Sequence, residues 1–107
     1  MASLFAALVR GPSMAPTLRD GDAVLVRRGG RPVRPGEVVV ATFRSRPDLL
    51  VVKRAVRKAD GGWWLQGDNE FVTDDSRAYG VADVRGRVLL RYWPRPSRLR
   101  PRIMLDT

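Results

Sequence analysis

The chain has 107 residues, 44% hydrophobic and 29% charged, which is enough for one domain with one modest core. Its formal net charge is +9, and it contains neither cysteine nor histidine. Those absences exclude a thiol nucleophile, a disulfide framework, a cysteine-based zinc site, an imidazole base and an imidazole metal ligand. Any chemistry must use hydroxyls, carboxylates, lysine or backbone dipoles.

Residues 1–9 read as a short strand or arm. The apolar run Leu4 to Val9 falls far short of the ~20 residues that span a bilayer and lacks a basic flank. Neither a leader nor a membrane anchor is therefore expected, and a cytoplasmic location is. Residues 10–22 are turn-rich, and a strand is predicted at 23–27. A Gly/Arg/Pro turn follows, then a Val-rich strand at 37–43, a loop at 44–48 containing Pro47, and a strongly β-prone strand at 49–57. Asp60-Gly61-Gly62 is a tight-turn signal that folds 63–66 back as a hairpin. Residues 67–80 are polar and aperiodic, and a last strand, interrupted by Gly86, is predicted at 84–93. No stretch has the pattern of a three-turn helix, and no repeat is visible. The predicted fold class is mainly β, barrel-like or sandwich-like. One domain is expected at 1–93, followed by a Pro/Arg-rich basic tail at 94–107 that does not pack.

The charge is lopsided: 18 arginines stand against two lysines, Lys53 and Lys58. Arginine bias reflects either coding composition or an anionic partner such as nucleic acid or a membrane surface. The tail, with Arg95, Arg98, Arg100 and Arg102, is either a solvated end or a contact for an acidic partner or peripheral membrane lipid.

Long irregular loops in so small a domain carry function or disorder. In the first, Pro12 and Pro16 flank Ser13 and reduce the entropy of fixing its hydroxyl, while Gly11 permits close backbone approach. Ser13 reads either as a turn cap or as a nucleophile. A nucleophile would need a carboxylate or a neutral lysine as base. Lys53 sits in the most apolar strand, and period two places Leu49, Val51 and Ala55 on its face. At the ordinary lysine pKa only about 0.04% is neutral at pH 7. Lowering it to ~7.5 takes roughly 4 kcal/mol, which full burial can supply. The competing reading makes Lys53 and Arg54 an edge-strand pair that reaches water. Lys58 reads as a solvated surface residue. In the second loop, Asp75 and Arg77 can pair and pin the chain, and Thr73 or Ser76 can bond a nearby lysine. Asp68, Asn69, Asp74 and Asp75 are hard oxygen donors, but their spacing fits no calcium loop, so no metal or cofactor is expected.

Taken in order, Gly11-Pro12-Ser13-Met14-Ala15-Pro16-Thr17-Leu18, Gly21-Asp22, Val52-Lys53-Arg54, Gly67-Asp68-Asn69 and Asp75-Ser76-Arg77…Gly80 resemble the boxes of the type I signal peptidase superfamily. The resemblance covers residues 11–80. It implies a small signal-peptidase-like or repressor-protease-like β-barrel fold and a serine endopeptidase with a Ser–Lys dyad. It implies Ser13 as nucleophile, Lys53 as general base, and Thr73 as the hydroxyl that orients the amine. Asp75, Ser76 and Arg77 fall on the supporting box, with Asp75 and Arg77 as its ion pair. The oxyanion donor would be the Ser13 backbone N–H. Gly11 stands where some members contribute a hydroxyl, so that donor is missing or is replaced by backbone. Glu70 stands where a basic residue is usual.

Arg34-Pro35-Gly36, Pro47-Asp48-Leu49-Leu50 and Gly61-Gly62-Trp63-Trp64-Leu65 extend the likeness to the nickel-type superoxide dismutase maturation proteases. That resemblance implies removal of an amino-terminal propeptide from the dismutase precursor. General processing of other precursors is the alternative. Self-cleavage of the repressor type is disfavoured, because the chain has no Ala-Gly dipeptide. A non-enzymatic reading is a basic barrel binding nucleic acid through Trp63, Trp64, Tyr92 and Trp93. No nucleic-acid partner is expected on the protease reading.

Overall fold

The computed structural model describes residues 3–102, and strands dominate it. They are β1 (Ser3–Leu8), β2 (Ala23–Arg28), β3 (Val38–Phe43), β4 (Arg46–Ala59), β5 (Gly62–Gln66), β6 (Ala82–Trp93) and β7 (Ser97–Arg98). Among the described residues the single helix, α1 (Ser76–Tyr79), is one turn long. The mainly β reading is thus correct, and the absence of a three-turn helix holds for the described residues. None of their helices is long and apolar enough to cross a membrane.

All seven strands form one antiparallel sheet in the order β1-β2-β6-β3-β4-β5, with β7 added to β6. A further bridge, Trp63 to Ala82, joins β5 back to β6 and closes β6-β3-β4-β5 on itself. β3 explains why one chain supports two apolar clusters. Its Val39, Ala41 and Phe43 meet Ala55, Trp63, Leu65 and Ala82 on one side. Its Val38 and Val40 meet Val9, Met14, Leu18, Val24, Val26 and Val88 on the other. Successive side chains of a strand point to opposite faces, so a strand covered on both sides reads as a continuous apolar run. The stretch Val38-Val39-Val40-Ala41-Thr42-Phe43 is such a run, and all six residues are buried.

β4 starts earlier than predicted. Phe43 pairs with Arg46, so the expected loop shrinks to a tight hairpin with Pro47 inside the strand. Pro47 is tolerated because β4 pairs with β5 only from Arg54 onward, leaving its first half an edge. The Asp60-Gly61 turn forms as expected, with φ of 49° and 76°.

The expectation of an unpacked tail is corrected for residues 94–102. Ser97 and Arg98 pair with Arg91 and Leu90, and Leu99 packs against the cluster containing Val9. The Arg102 N–H donates to the Gly36 carbonyl at 3.0 Å. Sequence polarity misled here because the segment is held largely through backbone groups, with Leu99 as its one apolar anchor among the described residues. The remainder of the tail, 103–107, lies outside the described residues.

Leu65, fully buried in the cluster that β3, β4, β5 and β6 enclose, provides a test of this packing. Leu65→Ala is expected to lower unfolding free energy by about 2–5 kcal/mol in a denaturant titration. Leu4→Ala, at a residue 59% exposed, should change it by no more than about 0.5 kcal/mol.

Candidate active site

The loop after β1 owes its shape to local bonds. The Ala15 N–H donates to the Pro12 carbonyl at 3.1 Å, and the Leu18 N–H to the Met14 carbonyl at 2.9 Å. Met14 and Leu18 are fully buried and anchor the loop from below. Ser13, immediately before Met14, is partly exposed. It lines a cleft of about 190 Å3 together with Lys53. Val9, Pro12, Leu49, Leu50, Val51 and Val52 form the apolar walls, and Arg10 and Asp74 supply further charge.

Lys53 comes from the centre of β4, where it pairs with Val39, and is only 4% exposed. The edge-pair reading of Lys53 and Arg54 therefore fails, since both are buried. Burial pushes the Lys53 amine below the ordinary lysine pKa, and Arg77 adds to that, whereas Asp74 and Asp75 work against it. Among the described residues no hydrogen bond or ion pair engages its Nζ, and none joins it to the Ser13 hydroxyl.

The second loop is sewn to the first by backbone. The Asn69 N–H donates to the Ser13 carbonyl at 2.9 Å, and the Asn69 side chain donates to the Pro12 carbonyl at 3.0 Å. Gly67 lies so close that a Cβ there would stand 2.5 Å from the Ser13 carbonyl oxygen, so only glycine fits. Asp75 fixes this register: its fully buried carboxylate accepts from the Gly67 N–H at 3.0 Å and from the Arg77 guanidinium at 2.7 and 2.9 Å. Burial alone would raise the Asp75 pKa, but its hydrogen bonds from Arg77 and Gly67 bring it below the usual carboxylate value. Ser76, also buried, accepts from the Leu65 N–H at 2.7 Å and ties α1 to β5.

Two expected positions do not make the contacts the resemblance implies. Thr73 is exposed and outside the cleft lining, which Asp74 joins instead, and no hydrogen bond connects Thr73 to Lys53. Gly11 lines the cleft, but its N–H donates to Asp20 at 2.8 Å and is not free to act as an oxyanion donor. The Ser13 N–H has no such partner among the described residues.

The residue that sequence reasoning undervalued is Arg54. Its guanidinium forms a two-pronged pair with Asp68, both side chains being nearly fully buried. Asp68 also accepts from the Thr17 hydroxyl, and Arg102 comes within 3.2 Å. Arg54 donates onward to the carbonyls of Gly36 and Arg100 at 2.9 and 3.2 Å. Burial pushes the Asp68 carboxyl up, yet the Arg54 and Thr17 hydrogen bonds hold it below its usual range. The signal was present in Lys53-Arg54 and Gly67-Asp68-Asn69, as an arginine and an aspartate each beside a candidate residue. In the fold these side chains bond protein groups: Asp68 to Arg54, Asn69 to the Pro12 carbonyl and Asp75 to Arg77. Among the described residues no group of three or more carboxylates stands together to hold a metal.

The aromatic platform is likewise divided. Trp63 is buried, and Arg57 stacks over the Trp64 ring at 4.9 Å, while Tyr92 and Trp93 remain exposed.

Residues 1–89 match the Peptidase S24-like family. Mitochondrial inner membrane protease subunit 1 of Xenopus tropicalis is 33% identical over 81% of this chain and 68% of its own length. The human protein of that name is 30% identical over 78% and 66%, and the Arabidopsis thaliana mitochondrial ATP-independent inner membrane protease subunit 1a 32% over 80% and 68%. The chain spans about two thirds of the length of these relatives.

Two measurements check the electrostatics. Asp68→Asn leaves a buried guanidinium without its counter-charge and should cost about 3–5 kcal/mol in denaturant unfolding. The second concerns Lys53, whose folded pKa is lowered, so above that value the unfolded chain binds the extra proton and stability climbs with pH until about 10.5. Lys53→Met should flatten that climb and raise stability near neutral pH by on the order of 1 kcal/mol, read from unfolding curves across pH.

Proposed function

Since the chain belongs to the Peptidase S24-like family, we propose that it is a serine endopeptidase in which Ser13 is the nucleophile and Lys53 the general base. One observation carries the reading: a lysine 4% exposed, shifted toward its neutral form and without a bonded counter-ion among the described residues, lines the same cleft as the serine. A neutral amine is a base, whereas an ammonium is not.

The cleft also suits an extended peptide. The first half of β4, Arg46 to Lys53, pairs only with β3, so its other edge offers backbone donors and acceptors to an added strand. Leu49 and Leu50 on that half are 42% and 52% exposed and give apolar contact to substrate side chains. With the scissile carbonyl beside Ser13, Lys53 Nζ accepts the hydroxyl proton as Oγ attacks the carbonyl carbon. The Ser13 N–H stabilises the oxyanion, a donor worth ~3 kcal/mol of barrier. The lysinium then returns the proton to the leaving amine, and water hydrolyses the acyl-enzyme. Catalytic hydrogen bonds commonly tighten only when substrate is bound, which accommodates the unbonded Ser13–Lys53 geometry. Asp75, Ser76 and Arg77 support the site by fixing Gly67 against the Ser13 carbonyl and α1 against β5. Thr73 has no assigned role in this scheme.

For substrate, we take an amino-terminal propeptide, and the nickel superoxide dismutase precursor is the first candidate because of the resemblance to its maturation proteases. The curated relatives are named as inner membrane protease subunits, which favours processing of other precursors as the second reading.

Incubating the chain with the nickel dismutase precursor and with unrelated precursors, and reading new amino termini by mass spectrometry, separates the two. Ser13→Ala and Lys53→Ala should each lower cleavage by more than about a thousandfold while the folded spectrum is retained. The rate should rise with pH through a midpoint well below the lysine value of about 10.4. Turnover retained in either variant, or a rate flat from about pH 5 to 9, refutes the dyad.

A further inference from the structure

Away from the cleft, like charges concentrate where β2 and β6 meet. Arg27 pairs directly with Arg87 across these strands, and Arg31 and Arg85 line the same pocket of about 210 Å3. Like charges set opposite each other on antiparallel strands destabilise the pair. Arg87 is also 9% exposed, and its buried Nε has no hydrogen-bond partner among the described residues. A buried donor left unsatisfied is costly.

Nearby carboxylates relieve this only in part. Arg87 Nη1 stands 4.0 Å from Glu37, whose two oxygens are already engaged by Arg31 and whose Oε1 also accepts from the Arg34 N–H at 2.7 Å. Asp83 is bound by Arg44, with bonds of 2.9 to 3.2 Å. Arg85 donates to the neutral Thr42 hydroxyl, at 3.2 and 3.0 Å. Four arginines thus line one pocket, and the neighbouring carboxylates leave them incompletely neutralised: Glu37 is taken up mainly by Arg31, and Asp83 by Arg44.

We propose that this pocket binds a phosphate-bearing anion, with Arg87 as its buried anchor and Arg27, Arg31 and Arg85 around it. Guanidinium groups match phosphate oxygens in geometry and charge, and Arg87, whose Nη1 keeps only a 4.0 Å contact to Glu37, has donor capacity left for such a ligand. The pocket shares no lining residue with the Ser13–Lys53 cleft, so the proposal stands independently of the peptidase reading.

Calorimetric titration with pyrophosphate, and flotation with phosphatidylcholine vesicles with and without phosphatidic acid, test it on the intact chain. Saturable binding of pyrophosphate that Arg87→Met weakens at least about tenfold supports a free anion. Flotation that requires phosphatidic acid and is lost in the same variant supports a lipid headgroup. Arg98→Gln, on β7, should alter neither. Arg27→Gln, at an exposed position, should weaken binding at least about threefold and carries the test if Arg87→Met perturbs folding. Binding to neither probe, or equal losses in the Arg98 and pocket variants, would mean only a diffuse response to net charge and overturns the site.

Discussion

The Arg54–Asp68 ion pair is the interaction on which the rest of this structure depends. Arg54 brings β4 to it, Asp68 the second loop, Thr17 the first loop, and the carbonyls of Gly36 and Arg100 two further segments. Removing both charges from water is expensive, and attraction repays the cost only where geometry is good and remaining donors are satisfied. Here Arg54 Nη1 is satisfied by the two carbonyls, while Asp68 takes the Thr17 hydroxyl as well as the guanidinium. The pair gives specificity of arrangement, because it closes correctly only when all five segments are in place.

This node lies one residue from Lys53 and one from Gly67, which abuts Ser13. The same strand therefore sends consecutive side chains to opposite tasks. Arg54 is charged, buried and fully partnered; Lys53 is buried and left without a partner among the described residues. Alternation along β4 makes that contrast available without any helix or long insertion. Asp75 acts in parallel from the other side by holding Gly67, so the two carboxylates clamp the serine loop at separate points.

Much of the architecture was legible from alternation and turn chemistry. The Val-rich run of β3, the Asp60-Gly61 turn and the hairpin to β5 lie where local signals put them, since those signals act over a few residues. Pro47 hid the start of β4, because edge status depends on which strand lies alongside. The segment after Pro94 reads as unpacked because much of its anchoring uses main-chain groups that composition does not register, and its one apolar anchor among the described residues, Leu99, stands among arginines and prolines. At the site, motif order gave Ser13, Lys53, Asp75 and Arg77, and the structure places the first two on one cleft and joins the latter two. The exposed setting of Thr73 and the commitment of Gly11 to Asp20 depend on loop conformation, which spacing does not encode.

The half-open strand β4 also bears on self-association. Bare main-chain edges recruit identical neighbours and seed aggregates, and proteins blunt them with charge and proline. β4 begins Arg46-Pro47-Asp48, ahead of Leu49, so a second copy sliding along that rim would meet an imino acid and two opposite charges before reaching the oily residues. A short, pliable chain can thread past such a guard, whereas another rigid sheet cannot.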